Sequence, residues 1–145
     1  MPVIFTIGFT KKSLREFIEL LRGAGVRVVI DTRLRNTSQL AGWSKSPDFA
    51  YLLEAGFGIR YEHYPEFAPT DELLDEYKDS RDWPRYEARF RQLLDERELQ
   101  AQAHALPVQD GICLLCAEPK ADKCHRRLVA EYLAALLPEI EIRHL

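Results

Sequence analysis

Three short segments of the chain carry residue types able to do chemistry, and the densest is Cys116-Ala-Glu118 followed, after five intervening residues, by Cys124-His-Arg126. A cysteine acts as nucleophile or metal ligand through its thiolate, which a nearby cation or a helix N-terminus favours. Cys124 is expected at the start of the last helix, with His125 and Arg126 in the same turn. The arginine and the free backbone N–H groups there would form an anion site. Glu118 can accept a proton or orient Arg126. Packing is an equal alternative, because free cysteine behaves as a small hydrophobe and Cys124 lies one turn before Leu128.

Two further uses of this segment stay open. Cys116, Cys124 and His125, with His63 as a fourth ligand, can be assembled into a metal site. Their spacing matches no standard ligand set, so no metal is assigned. A Cys116–Cys124 disulfide would signal redox switching. Cys113-x-x-Cys116 does not read as half a zinc site, since side chains three apart on a strand point to opposite faces. Cys113 is therefore assigned to the core.

The second segment is Asp31-Thr-Arg33, an acid and an anion-binding arginine that alternate in the same direction after a strand. They are read either as a ligand site or as an ion pair pinning the following loop. Thr6, Gly8 and Thr10 form the third segment and offer hydroxyls and backbone to a ligand, although no GxGxxG or P-loop pattern follows. Trp43, Tyr51, Tyr61 and Tyr64 can stack on a base or serve as core and rim. Two familiar catalytic patterns are absent. A cysteine phosphatase needs Cys-x5-Arg, whereas the sixth residue after Cys116 is Asp122, and there is no GxSxG nucleophile elbow.

These residues need a frame, and the apolar pattern supplies one. Val3, Phe5 and Ile7 predict a first strand stopped by Gly8. Ser13 and Glu16 have capping-box spacing before a helix carrying Leu14, Phe17, Ile18 and Leu21. Val26 to Ile30 reads as a strand buried on both faces. A polar loop covers Thr32 to Lys45, and Ser46-Pro47 opens a helix through Leu53 with Gly56 beyond its end. Ile59, Tyr61 and His63 alternate as a third strand. Thr70 caps a short helix with Leu73, Leu74 and Tyr77, and a longer helix after Asp82-Trp-Pro carries Tyr86, Phe90, Leu93 and Leu94. Ile112 to Cys116 is the fourth strand, about Lys123 to Leu137 the last helix, and Ile140 and Ile142 mark a final edge-like strand.

Strand and helix alternate throughout, which predicts a single α/β domain over residues 1–145. Its sheet is mostly parallel, of about five strands, with helices on both faces in a Rossmann/flavodoxin-like three-layer arrangement. In such a sheet ligands bind at the carboxyl ends of the strands. Thr6, Gly8, Asp31, Arg33, His63, Cys116 and Glu118 all fall at those ends, and Arg126 just beyond.

The bulk numbers agree with this reading. The chain has 145 residues, 46% hydrophobic and 30% charged, in the range of one domain with one core. A net charge of −3 disfavours a duplex-binding surface. No apolar run is long enough for a membrane span, and Val3–Ile7 reads as a strand rather than a signal peptide. Three cysteines make an odd number with no framework spacing, so a reducing, cytoplasmic setting is expected.

The sequence also resembles a known family. Thr6-Ile-Gly-Phe-Thr10 with Ser13-Leu-Arg-Glu-Phe17, Val29-Ile-Asp-Thr-Arg33 and Tyr61-Glu-His-Tyr-Pro-Glu-Phe-Ala-Pro-Thr70 look like domain-of-unknown-function 488 proteins. Leu114-Leu-Cys-Ala-Glu118 followed by Cys124-His-Arg126 is the most specific match. The resemblance implies a compact α/β fold and points to Asp31, Arg33, Cys116, Glu118, Cys124, His125 and Arg126 as signature positions. It implies no reaction and no cofactor. Thr32, Asn36 and Gln39 depart from the valine, proline and basic residue usual in that family, so the loop after the second strand is expected to treat its ligand differently.

The leading expectation is an enzyme or ligand-binding protein for a small anionic molecule, phosphorylated or nucleotide-like, held by Arg33 and Arg126. Cys116 or Cys124 would be the nucleophile or redox centre, with Glu118 or His125 as acid–base partner. A thiol or metal sensor is the alternative. A nucleic-acid accessory module with a basic rim of Arg33, Arg35, Lys45, Lys123, Arg126 and Arg127 is the least favoured.

Overall fold

The computed structural model describes residues 2–36, 42–118 and 120–145. Five parallel strands form one sheet: β1 (Val3–Gly8), β2 (Val28–Asp31), β3 (Arg60–His63), β4 (Ile112–Cys116) and β5 (Glu141–His144), in the order β3-β2-β4-β1-β5. The apolar run of β4 is buried along its whole length, as expected for a strand paired on both edges and covered on both faces. In the β1–β4 register Thr6 stands level with Leu114 and Gly8 with Cys116.

Alternation along each strand divides the core in two. Ile4, Val28, Ile30, Ile112 and Leu114 face α3 (Asp71–Ser80), α4 (Trp83–Arg97), α5 (Gln100–Ala105) and α6 (His125–Leu136). Phe5, Ile7, Val29, Cys113 and Leu115 face α1 (Leu14–Gly23) and α2 (Asp48–Tyr51), where they meet Phe17, Leu21 and Phe49. This is the three-layer arrangement that the alternating pattern predicts. Cys113 is fully buried on the α1 face, while Cys116 belongs to the opposite face. The period of two thus separates the two cysteines of Cys-x-x-Cys.

Local signals explain most helix ends. Ser13 and Glu16 form the complete capping box of α1, and Phe17, Ile18 and Leu21 are its buried stripe. Thr70 accepts from the Leu73 N–H at the start of α3, and Asp82 accepts from the Arg85 N–H at the start of α4. Several boundaries differ from the sequence reading. The second strand begins at Val28 rather than Val26. Pro47 precedes α2 as its N-cap, and a π-helical turn over Leu52–Gly56 takes in the glycine. Glu98 adopts a left-handed conformation after α4, so α5 starts a separate helix. Its single buried residue, Ala103, left no periodicity to read. Cys124 is the N-cap of α6 rather than a residue of its first turn.

The order of strands creates the place for a site. The chain runs outward from β1 to β2 to β3 in one direction, then returns to β4 and leaves for β5 in the other. Connections after β2 and β4 therefore diverge, and a crevice opens between their carboxyl ends. No helix among the described residues is long and apolar enough to cross a membrane.

Leu114, fully buried in the central strand, tests this packing. Leu114→Ala should lose about 2–5 kcal/mol of unfolding free energy in urea titration, while the half-exposed Leu20→Ala should stay within about 0.5 kcal/mol.

Candidate functional site

The site is built at the ends of β4 and β1 and the start of α6. Cys116 closes β4, and Cys124 sits at the α6 N-cap in extended conformation, with no side-chain cap bond. Both are buried, and their sulfur atoms meet, with Cα atoms 7.8 Å apart. The Cys124 N–H bonds to the Ala121 carbonyl at 3.1 Å, and its own carbonyl accepts from the Arg127 N–H at 3.1 Å. The turn before the helix is thereby held at both ends.

Arg126 points back from α6 under the strand ends and is fully buried. Its Nε donates to Thr6 Oγ1 at 3.2 Å, and its Nη1 donates to Cys116 Sγ at 3.3 Å and to the Glu118 carbonyl. Nη2 has no hydrogen-bond partner among the described residues. No carboxylate lies at ion-pair distance from this guanidinium among the described residues, although Glu118 and Asp122 act on it from farther off. Burial pushes its pKa down to about 10. Thr6 is itself fully buried and also bonds His144 Nδ1 at 2.6 Å. Gly8 is a matter of space: a Cβ there would stand 1.6 Å from the Glu118 carbonyl oxygen and 2.9 Å from Arg126 Nη1.

His125 is the first residue of α6. Its Nε2 lies 2.9 Å from the Thr32 carbonyl and 3.1 Å from Thr32 Oγ1, whose hydroxyl donates to the Leu115 carbonyl at 2.8 Å. Both neighbours of Nε2 are thus acceptors, which assigns the proton to Nε2 and leaves Nδ1 a lone pair. Burial drives the ring pKa down to about 4, with Arg126 adding to the effect and the Thr32 bond opposing it. Cys116 Sγ, Cys124 Sγ and a His125 ring nitrogen lie within 4.8 Å of one another.

Asp31 and Arg33 do project together, but on the other side of the sheet from Cys116. Asp31 is fully buried and takes Arg33 Nε and Nη2 at 2.9 and 2.7 Å, the Arg33 backbone N–H at 3.1 Å and the Tyr61 hydroxyl. The guanidinium lies over Phe9 and Phe49, 5.2 and 5.8 Å from the ring centroids, and its Nη1 is unpartnered. Burial and the Asp31 charge raise the Tyr61 pKa. Asn36 donates to the same hydroxyl at 2.9 Å, whereas Gln39 lies outside the described residues. His63 Nε2 bonds the Arg33 carbonyl at 2.7 Å and pins the loop, so it does not join the cysteine cluster.

A cavity of about 360 Å³ opens over this floor, lined by Cys116, Glu118, Cys124 and His125, by Arg33, Arg35 and Lys123, and by Tyr77, Trp83 and Tyr86. The three aromatics form a cluster from α3 and α4: Trp83 and Tyr86 stack at 5.1 Å and 27°, and Tyr77 packs on both. Sequence reading placed Tyr77 and Tyr86 on core-facing helices and passed over Trp83. The aromatics it singled out lie elsewhere. Trp43 packs among Phe9, Phe17 and Phe49, Tyr64 stacks on Phe67, and Tyr51 is exposed. A signal for the cleft wall did exist in Tyr77, Trp83 and Tyr86, three large rings within ten residues around a helix break. Of the basic residues read as a rim, Arg33 and Arg126 are buried, Arg35 pairs with Asp71, Arg127 with Glu87 and Glu131, and Arg35 and Lys123 line the cavity.

Residues 13–133 match the family described as Domain of unknown function DUF488. No curated protein and no solved structure matches the chain.

The close approach at Gly8 yields a direct test. Gly8→Ala should lose about 1–3 kcal/mol or more in urea unfolding, because rigid backbone receives the methyl. Gly23→Ala, with nothing within 4 Å, should be neutral or stabilising.

Proposed function

From the premise that this chain belongs to the DUF488 family, described only as a domain of unknown function, we propose that it is an enzyme or ligand-binding protein for a small anionic molecule, phosphorylated or nucleotide-like. The molecule enters the cleft at the carboxyl edge of the sheet. One observation carries this reading: Arg126 is fully buried, contacts Cys116 Sγ, and among the described residues keeps one nitrogen unpartnered and has no carboxylate at ion-pair distance. A buried guanidinium without an ion-pair partner is costly, so its surroundings favour an anion. The nearest group able to become one is the Cys116 sulfur, and a ligand anion near the same floor adds to the balance.

The roles follow from position. Cys116 is the reactive sulfur and Arg126 its electrostatic partner. Glu118, exposed on the cleft wall, is the acid–base group, since the Nε2 side of His125 is committed to Thr32. The aromatic cluster of Tyr77, Trp83 and Tyr86 suits a flat ring, and Lys123 and Arg35 suit the charged part. Arg33 contributes through the loop it anchors to Asp31.

Nucleoside monophosphates serve as the first probes. Binding should quench Trp83 fluorescence, followed in a Trp43→Phe background. Trp83→Ala should weaken binding about tenfold or more by calorimetry, and Lys123→Ala should weaken it in proportion to the phosphate charge. Absence of binding across the panel, or equal binding by both variants, would remove the nucleotide-like reading.

Thiol redox switching is a second reading, favoured by the contact between the Cys116 and Cys124 sulfurs. Hydrogen peroxide should take two electrons and two protons from the reduced pair, giving a Cys116–Cys124 bond and two waters. Mass spectrometry should register the loss of two hydrogens, reversed by dithiothreitol and absent in Cys124→Ser. Thiols that never pair under peroxide would end this reading.

A further inference from the structure

The floor of the cleft brings together three donors of the kind that bind a soft or borderline metal. Cys116 Sγ, Cys124 Sγ and a His125 ring nitrogen lie within 4.8 Å of one another. Thiolate and imidazole donors select zinc-class ions over calcium or magnesium, which prefer oxygen. The Cα atoms of the two cysteines are 7.8 Å apart, wider than the roughly 4.4–6.8 Å of ordinary disulfides. That spacing leaves the reduced sulfurs room to converge on an ion between them.

The surrounding contacts are also those of a ligand set. The Nε2–H of His125 is held by the Thr32 carbonyl and hydroxyl, which fixes the ring and leaves Nδ1 a lone pair. Arg126 Nη1 donates to Cys116 Sγ. Both donors of the central pair sit on ordered elements, the end of β4 and the N-cap of α6.

We propose that the reduced chain binds one zinc-class divalent ion through Cys116, Cys124 and His125, with a fourth position open to the cleft. All three residues line that cavity. Three protein ligands and one exchangeable position make the arrangement of a catalytic rather than a structural zinc site. Formal charge closes at the ion, where two thiolates balance its two positive charges. Glu118 lies two residues past Cys116 on the cleft wall and outside the ligand cluster. A bound ion would supply Lewis-acid chemistry at the open position, and Glu118 would stand beside it on the cleft wall.

This inference deepens the ligand-binding reading and rests on it for the use of the open position. The metal itself is tested without any ligand. Sulfurs bonded to each other cannot both be thiolates, so the ion belongs to the reduced chain. A dithiol reductant restores both thiols and is itself oxidised to its disulfide.

The experiment titrates reduced, full-length protein with Zn²⁺ against a chromophoric chelator, then with Co²⁺ to record thiolate-to-metal charge transfer. One ion per chain is expected, weakened about a hundredfold or more in Cys124→Ser and His125→Ala. Cys113→Ser and Glu118→Gln should keep the stoichiometry and the charge-transfer bands. In case a ligand variant fails to fold, alkylation of the wild type gives a second measurement, since Zn²⁺ should protect Cys116 and Cys124 together. No Zn²⁺ binding at micromolar concentration, unchanged affinity in Cys124→Ser, or no protection of that pair would overturn the proposal. A chain that binds Zn²⁺ but no nucleoside phosphate keeps the metal and loses the ligand reading; the reverse result removes only the metal.

Discussion

A guanidinium withdrawn from water, with no carboxylate at ion-pair distance among the described residues, organises the carboxyl edge of this sheet. Arg126 is donated upward from α6 into a socket made by Thr6 on β1, Cys116 on β4 and the Glu118 carbonyl. The partners come from β1 and from the end of β4, so the arginine ties the helix to both strands. Desolvating such a charge is expensive, and only strong hydrogen bonds and a nearby anion make it tolerable. The socket therefore constrains its neighbours: Gly8 must lack a side chain for the Glu118 carbonyl to approach, and Cys116 must stay close to the cation.

The second buried arginine obeys the same electrostatics with a different outcome. Arg33 has its carboxylate, Asp31, in bidentate contact, and aromatic rings cover its face. Removing one partner of such a pair leaves an uncompensated buried charge, a loss of about 3–5 kcal/mol. That pair is an anchor for the start of the loop after β2. The contrast matters for function: one arginine is neutralised by the fold, while the other faces a sulfur and leaves its charge for the site to use.

Strand order makes both arrangements possible. β4 enters between β1 and β2 late in the chain, which sets Cys116 level with Gly8 and beside Thr32. The diverging connections keep the crevice above these residues free of crossing chain. Helices α3 and α4 then supply an aromatic wall on one side, and α6 supplies Cys124 and His125 on the other. The alkaline and acidic groups of the outer helices, such as Arg127 with Glu87 and Glu131, are meanwhile spent on one another. Charge is thereby concentrated at the sheet edge.

Much of this was legible before any fold was drawn. The capping box at Ser13, the buried run of β4 and the stripe of α6 are local patterns, and local patterns report elements and their faces. Alternation alone separated Cys113 from Cys116. What could not be read was partnership, because it depends on contacts between residues far apart in the chain. Arg126 meets Thr6 across 120 positions, and His125 meets Thr32 across 93. The sequence showed that Asp31 and Arg33 project together, but not that their face is the one opposite Cys116. It placed Tyr77 and Tyr86 on apolar helical stripes without revealing that, with Trp83, they wall a cavity. Residue types and spacing determined which side chains reach the carboxyl edge of the sheet. Only tertiary structure decided which of them meet there, since strand order and helix layering are properties of the whole chain's packing.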